Sequence, residues 1–354
     1  AGMWARGIEE KTGEEIYEKL QAFAEFGFPE SHAFSFAYLV YASAWLKVHY
    51  PEEFYAGLLG AQPMGFYSPQ SLVSDARLHG VLVLPPDVSV SLKEASVEES
   101  EPRDFEPHRL VDAHPDRAVR LGLSQIRGIK QCIPRILQAR DERPFSTAAD
   151  LAHRAQLSRQ DIEALSSAGA LDSLGTDRRQ GIWLAHSLED QGITHGLYYQ
   201  PTIPGTGAAA HVPNLPPMSE AERVNADLDV TGVSSSAYPT EFLRPDLNTK
   251  GIVRIADLGR AEEGRRIRVA GVVTHRQRPH TAQGTTFISL EDETGLLNVV
   301  CSHGLWQRYR QVARNSSGLI VRGMVERGDG AMNFVADHLE PLALTVSLQS
   351  RDFR

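Results

Sequence analysis

Thr286-Phe287-Ile288-Ser289-Leu290-Glu291-Asp292-Glu293-Thr294-Gly295 decides the fold of the C-terminal third. Phe287, Ser289 and Glu291 alternate with Ile288, Leu290 and Asp292, the two-residue period of a strand, and Glu293-Thr294-Gly295 supplies a turn. Working outward, Leu297, Val299 and Val300 predict a partner strand, and Ile267, Val269 and Val272 a strand before the quoted one. A helix is expected over 305–312. Leu319, Val321 and Gly323 then open a fourth strand, and 333–336 a last one. Five strands with one helix after the third is the order of an OB-fold barrel.

Further upstream the period changes to that of helices. Ile16, Leu20, Phe23 and Ala24 recur at helical spacing, Gly27-Phe28-Pro29 stops that helix, and Ser31 is placed as the N-cap of the next. The second helix is apolar nearly all round from Ala33 to Leu46, which predicts burial in a core; it is too short for the ~20 residues of a membrane span. A helix over 69–79, a short strand over 81–84, an acidic loop over 94–117 and a strand over 118–123 follow. Helices are then expected to residue 140, over 148–155 and over 158–168. Residues 176–230 lose periodicity and carry Pro201, Pro204, Gly205, Gly207, Pro213, Pro216 and Pro217, the composition of a linker.

The chain has 354 residues, enough for two or three domains. Its 42 % hydrophobic and 23 % charged residues exclude wholesale disorder and collagen-like fibres. Cys132 and Cys301 are too far apart for a CxxC zinc site and too few for a disulfide scaffold, which fits a reducing cytoplasm. No signal peptide is expected. The chain opens Ala1-Gly2-Met3-Trp4, within a helical pattern, which reads as a piece of a longer protein. The net charge of −9 argues globally against a nucleic-acid partner.

Locally the charge reverses. Ten arginines stand against five acids between Arg265 and Asp329. Arg276 and Arg278 flank the exit of the first barrel strand, and Phe287 opens the next. Guanidinium groups beside an aromatic ring suit single-stranded nucleic acid, with arginine on phosphate and ring on base. The alternatives are that Phe287 and Phe334 are core and the arginines ordinary surface, or that the barrel binds oligosaccharide. A second basic segment is Ile126-Arg127-Gly128-Ile129-Lys130 followed by a helix carrying Arg135, the apolar-x-Gly-apolar turn of a helix-hairpin-helix motif. Such a turn brings backbone N–H groups to a DNA phosphate without reading bases. A second hairpin ending at Ala168-Gly169-Ala170 makes it a tandem. His32, read from spacing alone, is a capping or structural residue. Asp227-Leu228-Asp229 could hold metal ions but lies in linker-like sequence, which predicts solvated acids. GxxxxGK[ST], HExxH and GxSxG motifs are absent.

Gly27-Phe28-Pro29-Glu30-Ser31-His32-Ala33-Phe34-Ser35-Phe36-Ala37-Tyr38-Leu39-Val40-Tyr41, continuing to Phe54, closely resembles the fingers segment of C-family bacterial DNA polymerases, relatives of the DNA polymerase III alpha subunit. Pro29-Glu30, Gln62-Pro63-Met64-Gly65-Phe66-Tyr67-Ser68-Pro69 and Ser350-Arg351-Asp352-Phe353 are similar to its error-prone, ImuC-like branch. The resemblance covers nearly the whole chain, including the quoted barrel strand. It implies a multidomain α+β chain: partial polymerase fingers (1–95), a tandem helix-hairpin-helix domain (96–175), a linker or bridge (176–260), a C-terminal five-stranded OB-fold β-barrel (261–345) and a tail (346–354).

The resemblance further implies that His32, with Ser31, approaches the phosphates of an incoming dNTP. Glu30, where the replicative branch has lysine, implies weaker triphosphate contact. Arg127, Gly128, Lys130 and Arg135 would meet duplex DNA, and Arg276, Arg278 and Phe287 single-stranded DNA. Lys130 stands where the family often has a second glycine, which puts close backbone approach there in question and leaves its side chain to reach phosphate. The catalytic aspartates and their Mg²⁺ belong to a palm that precedes the fingers, so no catalytic or metal residue is assigned here, and the fragment alone is expected to be inactive. The family's partners would be an ImuB-like Y-family protein and, through it, the sliding clamp, with no membrane. The chain stops soon after the barrel, without the domain by which the replicative branch joins the clamp loader. The rival class is a non-catalytic OB-fold nucleic-acid-binding module, since the barrel alone also resembles anticodon-binding barrels of class II tRNA synthetases; the 27–54 block separates the two.

Overall fold

A computed structural model describes residues 7, 9–25, 30–65, 67–104, 110–190, 215–262, 264–282, 284–328, 331–344 and 351–353. The chain divides into two units, Ala1–Tyr50 and Pro51–Arg354. The first holds α1 (Glu10–Glu25) and α2 (Glu30–His49). The Gly27-Phe28-Pro29 helix stop lies outside the described residues. Ser31 is the second residue of α2 rather than its cap, and its carbonyl accepts the Ser35 hydroxyl at 2.8 Å. The expected burial of α2 is not found. Phe34 is 76 % exposed, Tyr41 72 %, and Val40 and Leu39 are also open. An all-round apolar helix needs partners on every side, and the described residues do not supply them.

The second unit begins with α3 (Pro51–Gly60) and α4 (Pro69–Leu78), which pack on a three-stranded sheet of β1 (Leu82–Leu84), β3 (Arg117–Arg120) and β2 (Ser96–Glu99), ordered β1-β3-β2. Strand β2 lies in the stretch expected to be loop; its register against β3 pairs Glu98 with Ala118, while Arg120 and Glu98 form an ion pair at 2.6 Å. Tyr55, Val73, Val83 and Val119 form the core between helices and sheet.

A helical domain follows: α5 (Ile133–Glu142), α6 (Ala148–Arg154), α7 (Arg159–Ser167) and α8 (Arg178–Asp190), then α9 (Glu220–Val230). Ser158 caps α7 in a reciprocal capping box with Asp161, and Thr147 caps α6. Ile126, Ile129, Ile136, Leu151, Leu157 and Leu165 fill the core. Helices α8 and α9 lie in sequence expected to be linker. They form because their apolar residues, Leu184 and Val224 among them, find buried sites that local periodicity does not announce. The prolines and glycines from 201 to 213 lie outside the described residues.

A bridge with α10 (Arg244–Thr249) leads to the barrel: β4 (Arg266–Gln277), β5 (Thr286–Asp292), β6 (Gly295–Cys301), α11 (His303–Arg308), α12 (Arg310–Asn315), β7 (Gly318–Gly328) and β8 (Ala331–Pro341). The order β5-β6-β8-β7-β4, closed by β4–β5 pairing, is the OB barrel. The helix expected over 305–312 is two short helices, broken at Tyr309, whose φ of −107° and ψ of 22° leave the helical region. In the tail, β9 (Arg351–Phe353) adds a parallel sixth strand beside His275–Gln277 of β4. Val269, Ile288, Leu290, Val321 and Phe334 are among the fully buried barrel core.

Candidate nucleic-acid interface

The first hairpin turn is held by two isoleucines. Ile126 and Ile129 have no exposed surface, which fixes Arg127 and Gly128 between them on the outside. Gly128 has φ +92°, where a side chain is strained, and a Cβ placed there would meet nothing within 4 Å. The turn is therefore open above its glycine. Lys130, just after the turn, and Arg135, in the first turn of α5, are both exposed. Arg127 is tied down: its N–H donates to the Val230 carbonyl at 2.9 Å and its Nη1 to the Asp229 carbonyl at 2.8 Å. Gln125 donates to the Thr231 carbonyl at 2.9 Å, so the end of α9 braces the turn.

The other basic residues of this segment are engaged inside the fold. Arg117 pairs with Glu53, Arg120 with Glu98, and Arg143 with Asp150, while Arg140 donates to the carbonyls of Val88 and Ser91. The local positive count thus overstates the charge on offer.

The second turn also places a glycine at positive φ, directly after α7, but in a different surrounding. Gly169 has φ +72°, and a Cβ there would lie 2.9 Å from the Arg178 guanidinium. Arg178 donates to the carbonyls of Ser167 and Arg223 and pairs with Asp227 at 2.7 Å. The turn is sealed by α8 and α9. Asp227, expected among solvated linker acids, is only 6 % exposed; burial holds its carboxyl above the ordinary range despite the facing arginine. Nothing in the sequence around Arg178 marks it as a lid, because Arg223 and Asp227, which hold it from α9, lie 45 and 49 residues away.

On the barrel, the expected pair Arg276 and Arg278 separates. Arg276 is 6 % exposed and donates to the Ala313 carbonyl at 2.7 Å and the Ser316 carbonyl at 2.5 Å, tying β4 to the end of α12. This overturns its expected place on a DNA-facing surface: the guanidinium is enclosed. Arg278 is exposed and Phe287 half-buried, paired in register with Gln277 and Val300. The acids of the quoted strand are also not solvated. Glu291 accepts the Ser71 hydroxyl at 2.8 Å, and burial pushes its carboxyl up to about 7. Arg244 pairs with Asp292 at 3.1 Å and with Glu293 at 2.5 Å. The β5–β6 turn is thus a docking point for α4 and the bridge, which sequence alternation could not reveal.

Ser31 and His32 lie exposed in the first turn of α2, where the His32 ring packs edge-on to Phe36 with centroids 4.5 Å apart. Among the described residues no cluster of three or more His, Cys, Asp or Glu side chains is arranged to hold a metal, and no helix is long and apolar enough to cross a membrane.

Comparison with known proteins agrees with this architecture. Residues 80–181 match the helix-hairpin-helix motif family and residues 267–342 the OB-fold nucleic acid binding domain family. An error-prone DNA polymerase of Mycolicibacterium paratuberculosis is 47 % identical over 350 residues, covering 98 % of this chain and 30 % of the relative. The Nocardia farcinica protein of the same name is 48 % identical, covering 98 % and 29 %, and that of Mycobacterium tuberculosis (strain H37Rv) 46 %, covering 98 % and 30 %. The chain spans about three-tenths of the length of these relatives. On these identities across nearly its whole length, and with both domain families present, the chain belongs to the error-prone branch of the C-family DNA polymerases, of which it carries the helix-hairpin-helix and OB-fold portion.

Proposed function

We propose that this chain is the DNA-holding part of an error-prone, DNA-directed DNA polymerase, a nucleotidyltransferase acting in damage-induced translesion synthesis. The observation that carries the reading is the open Gly128 turn, anchored by Ile126 and Ile129 and flanked by exposed Lys130 and Arg135. A turn of this kind accepts a phosphate through backbone N–H groups, with the flanking cations adding sequence-independent attraction. The hairpin grips duplex DNA, and the barrel, with Arg278 and Phe287 at the β4–β5 end, holds single-stranded template. Ser31 and His32 stand toward the incoming dNTP. The aspartates that bind Mg²⁺ are supplied by a palm, as the family resemblance implies. An ImuB-like Y-family protein brings the polymerase to the sliding clamp.

The test is anisotropy with a primer–template duplex, with and without the substitution of Lys130 and Arg135 by alanine. Binding that strengthens as salt is lowered and weakens in the double variant supports the reading; a parent chain that binds no DNA at low salt overturns it. Primer extension with Mg²⁺ and dNTPs should yield no product from the chain alone, and elongation would overturn the assignment of the catalytic metal site to the palm.

A further inference from the structure

We infer that the face of the barrel formed by β4, β7 and β8, distinct from the β5–β6 strands by which OB-folds commonly hold oligonucleotides, is a binding groove for the phosphodiester backbone of single-stranded nucleic acid. The inference deepens the reading of the barrel as a DNA-binding domain and rests on it. A cavity of about 590 Å³ runs along this face. Arg260, Arg265, Arg266 and Arg268 line it, all four exposed, with Arg266 and Arg268 at alternate positions of β4.

The register makes the arrangement specific. Arg268 lies directly opposite Arg322 on β7, and Arg322 directly opposite His338 on β8. Like charges facing each other across strands destabilise a sheet; Asp337 offsets Arg322, and Arg268 donates to the Lys250 carbonyl, so the row is held in place with guanidinium N–H groups still turned to solvent. Asp337, at the bulge of β8, accepts from Nε of both Arg266 (2.8 Å) and Arg322 (2.6 Å). That carboxylate sets two guanidinium planes side by side while the side chains stay 66 % and 45 % exposed. Their terminal NH₂ groups are donors suited to phosphate oxygens. Two residues along a strand span roughly 6.6–6.8 Å, comparable to successive phosphates of an extended single strand.

Asp257, Glu262 and Glu340 also line the cavity, and a Glu340 carboxylate oxygen lies 3.0 Å from His338 Nε2. The carboxylates limit the field but leave the arginine row in place. An acidic peptide would most readily add as a strand to an open edge. Here β4 is paired on one side with β7 and bridged on the other by Val253, and β7 lies between β4 and β8, so this face offers side chains rather than an edge. His338 is the one ring among the described lining residues, so contact is to phosphate and the affinity should be the same for thymine and adenine tracts.

The test uses the full chain and fluorescence anisotropy with labelled dT20, a labelled 20-base-pair duplex and a labelled poly-glutamate peptide (lengths of ~20 units span several phosphate contacts). The triple variant Arg266→Ala, Arg268→Ala, Arg322→Ala should lose dT20 affinity about tenfold or more, with a salt slope shallower by about 2. It should keep its duplex affinity within about twofold, because the hairpin carries that contact. The triple arginine-to-lysine variant should keep the salt slope, and unchanged thermal unfolding of either variant excludes loss of the fold. A triple alanine variant that binds dT20 within about twofold of the parent overturns the groove while leaving the barrel a DNA binder, the more so if Arg278→Ala alone abolishes binding. Loss of the peptide with dT20 unaffected overturns it in favour of a protein partner. A parent that binds neither oligonucleotide fails the underlying reading itself.

Discussion

The two hairpin turns of the helical domain share a glycine at positive φ and differ in what lies above it. Gly128 and Gly169 both adopt positive φ, +92° and +72°. Open space lies where a side chain of residue 128 would go; the guanidinium of Arg178 lies where one of residue 169 would. A glycine in such a turn therefore does not by itself mark a ligand site. It marks a backbone that needs positive φ, and the neighbours decide whether the turn faces a ligand or a lid.

The largest way to break this comparison is to remove the lid. Arg178→Ala leaves Asp227 buried without its ion-pair partner and should destabilise the chain by about 3–5 kcal/mol in urea unfolding. The same variant carries a pH signature. A carboxyl whose folded pKa is raised binds its proton where the unfolded chain has released it, so stability falls as pH climbs from the ordinary value of 3.8 through the raised one. Without Arg178 that window should extend to higher pH; a slope confined to the parental window would show that Asp227 gains solvent when the lid is gone.

Gly169→Ala should come next, at about 2–4 kcal/mol, combining strain at positive φ with collision against Arg178. Gly128→Ala has strain without collision, about 1–2 kcal/mol, but its methyl group should obstruct a phosphate, so duplex affinity falls while the Gly169 variant, scaled to its folded fraction, binds as the parent does. Equal losses of stability for the two glycines would erase the distinction. Lys130→Ala is the mildest, within about 0.5 kcal/mol of the parent in stability, with the salt slope of duplex binding reduced by about 1.

These particulars separate what sequence can carry from what it cannot. The barrel was legible because Phe287–Asp292 alternates at period two and its turn residues follow at once. The first hairpin was legible because Ile126, Gly128 and Ile129 fix it within four residues. Arg276 was not, since its partners Ala313 and Ser316 lie 37 and 40 residues on, and an arginine at a strand end looks the same whether it meets water or a carbonyl. Helix α2 misled for the opposite reason: its composition reports that burial is needed, and nothing in its own residues says which neighbours provide it. Helices α8 and α9 were hidden by the proline-rich stretch between them, which dilutes any window that includes it.

One contact sets the order in which the second unit can assemble. The Ser71 hydroxyl and Glu291 carboxylate meet across 220 residues of sequence, and closing a loop that long carries an entropy penalty of about 5 kcal/mol on the logarithmic law. The sheet beneath α4 and the barrel each have a core of their own, so each can form from nearer contacts before this hydrogen bond is made. The joint should then form late in folding. Because doubling a loop adds only about 0.6 kcal/mol, lengthening the chain between residues 190 and 215 should delay that step far less than unpairing either end.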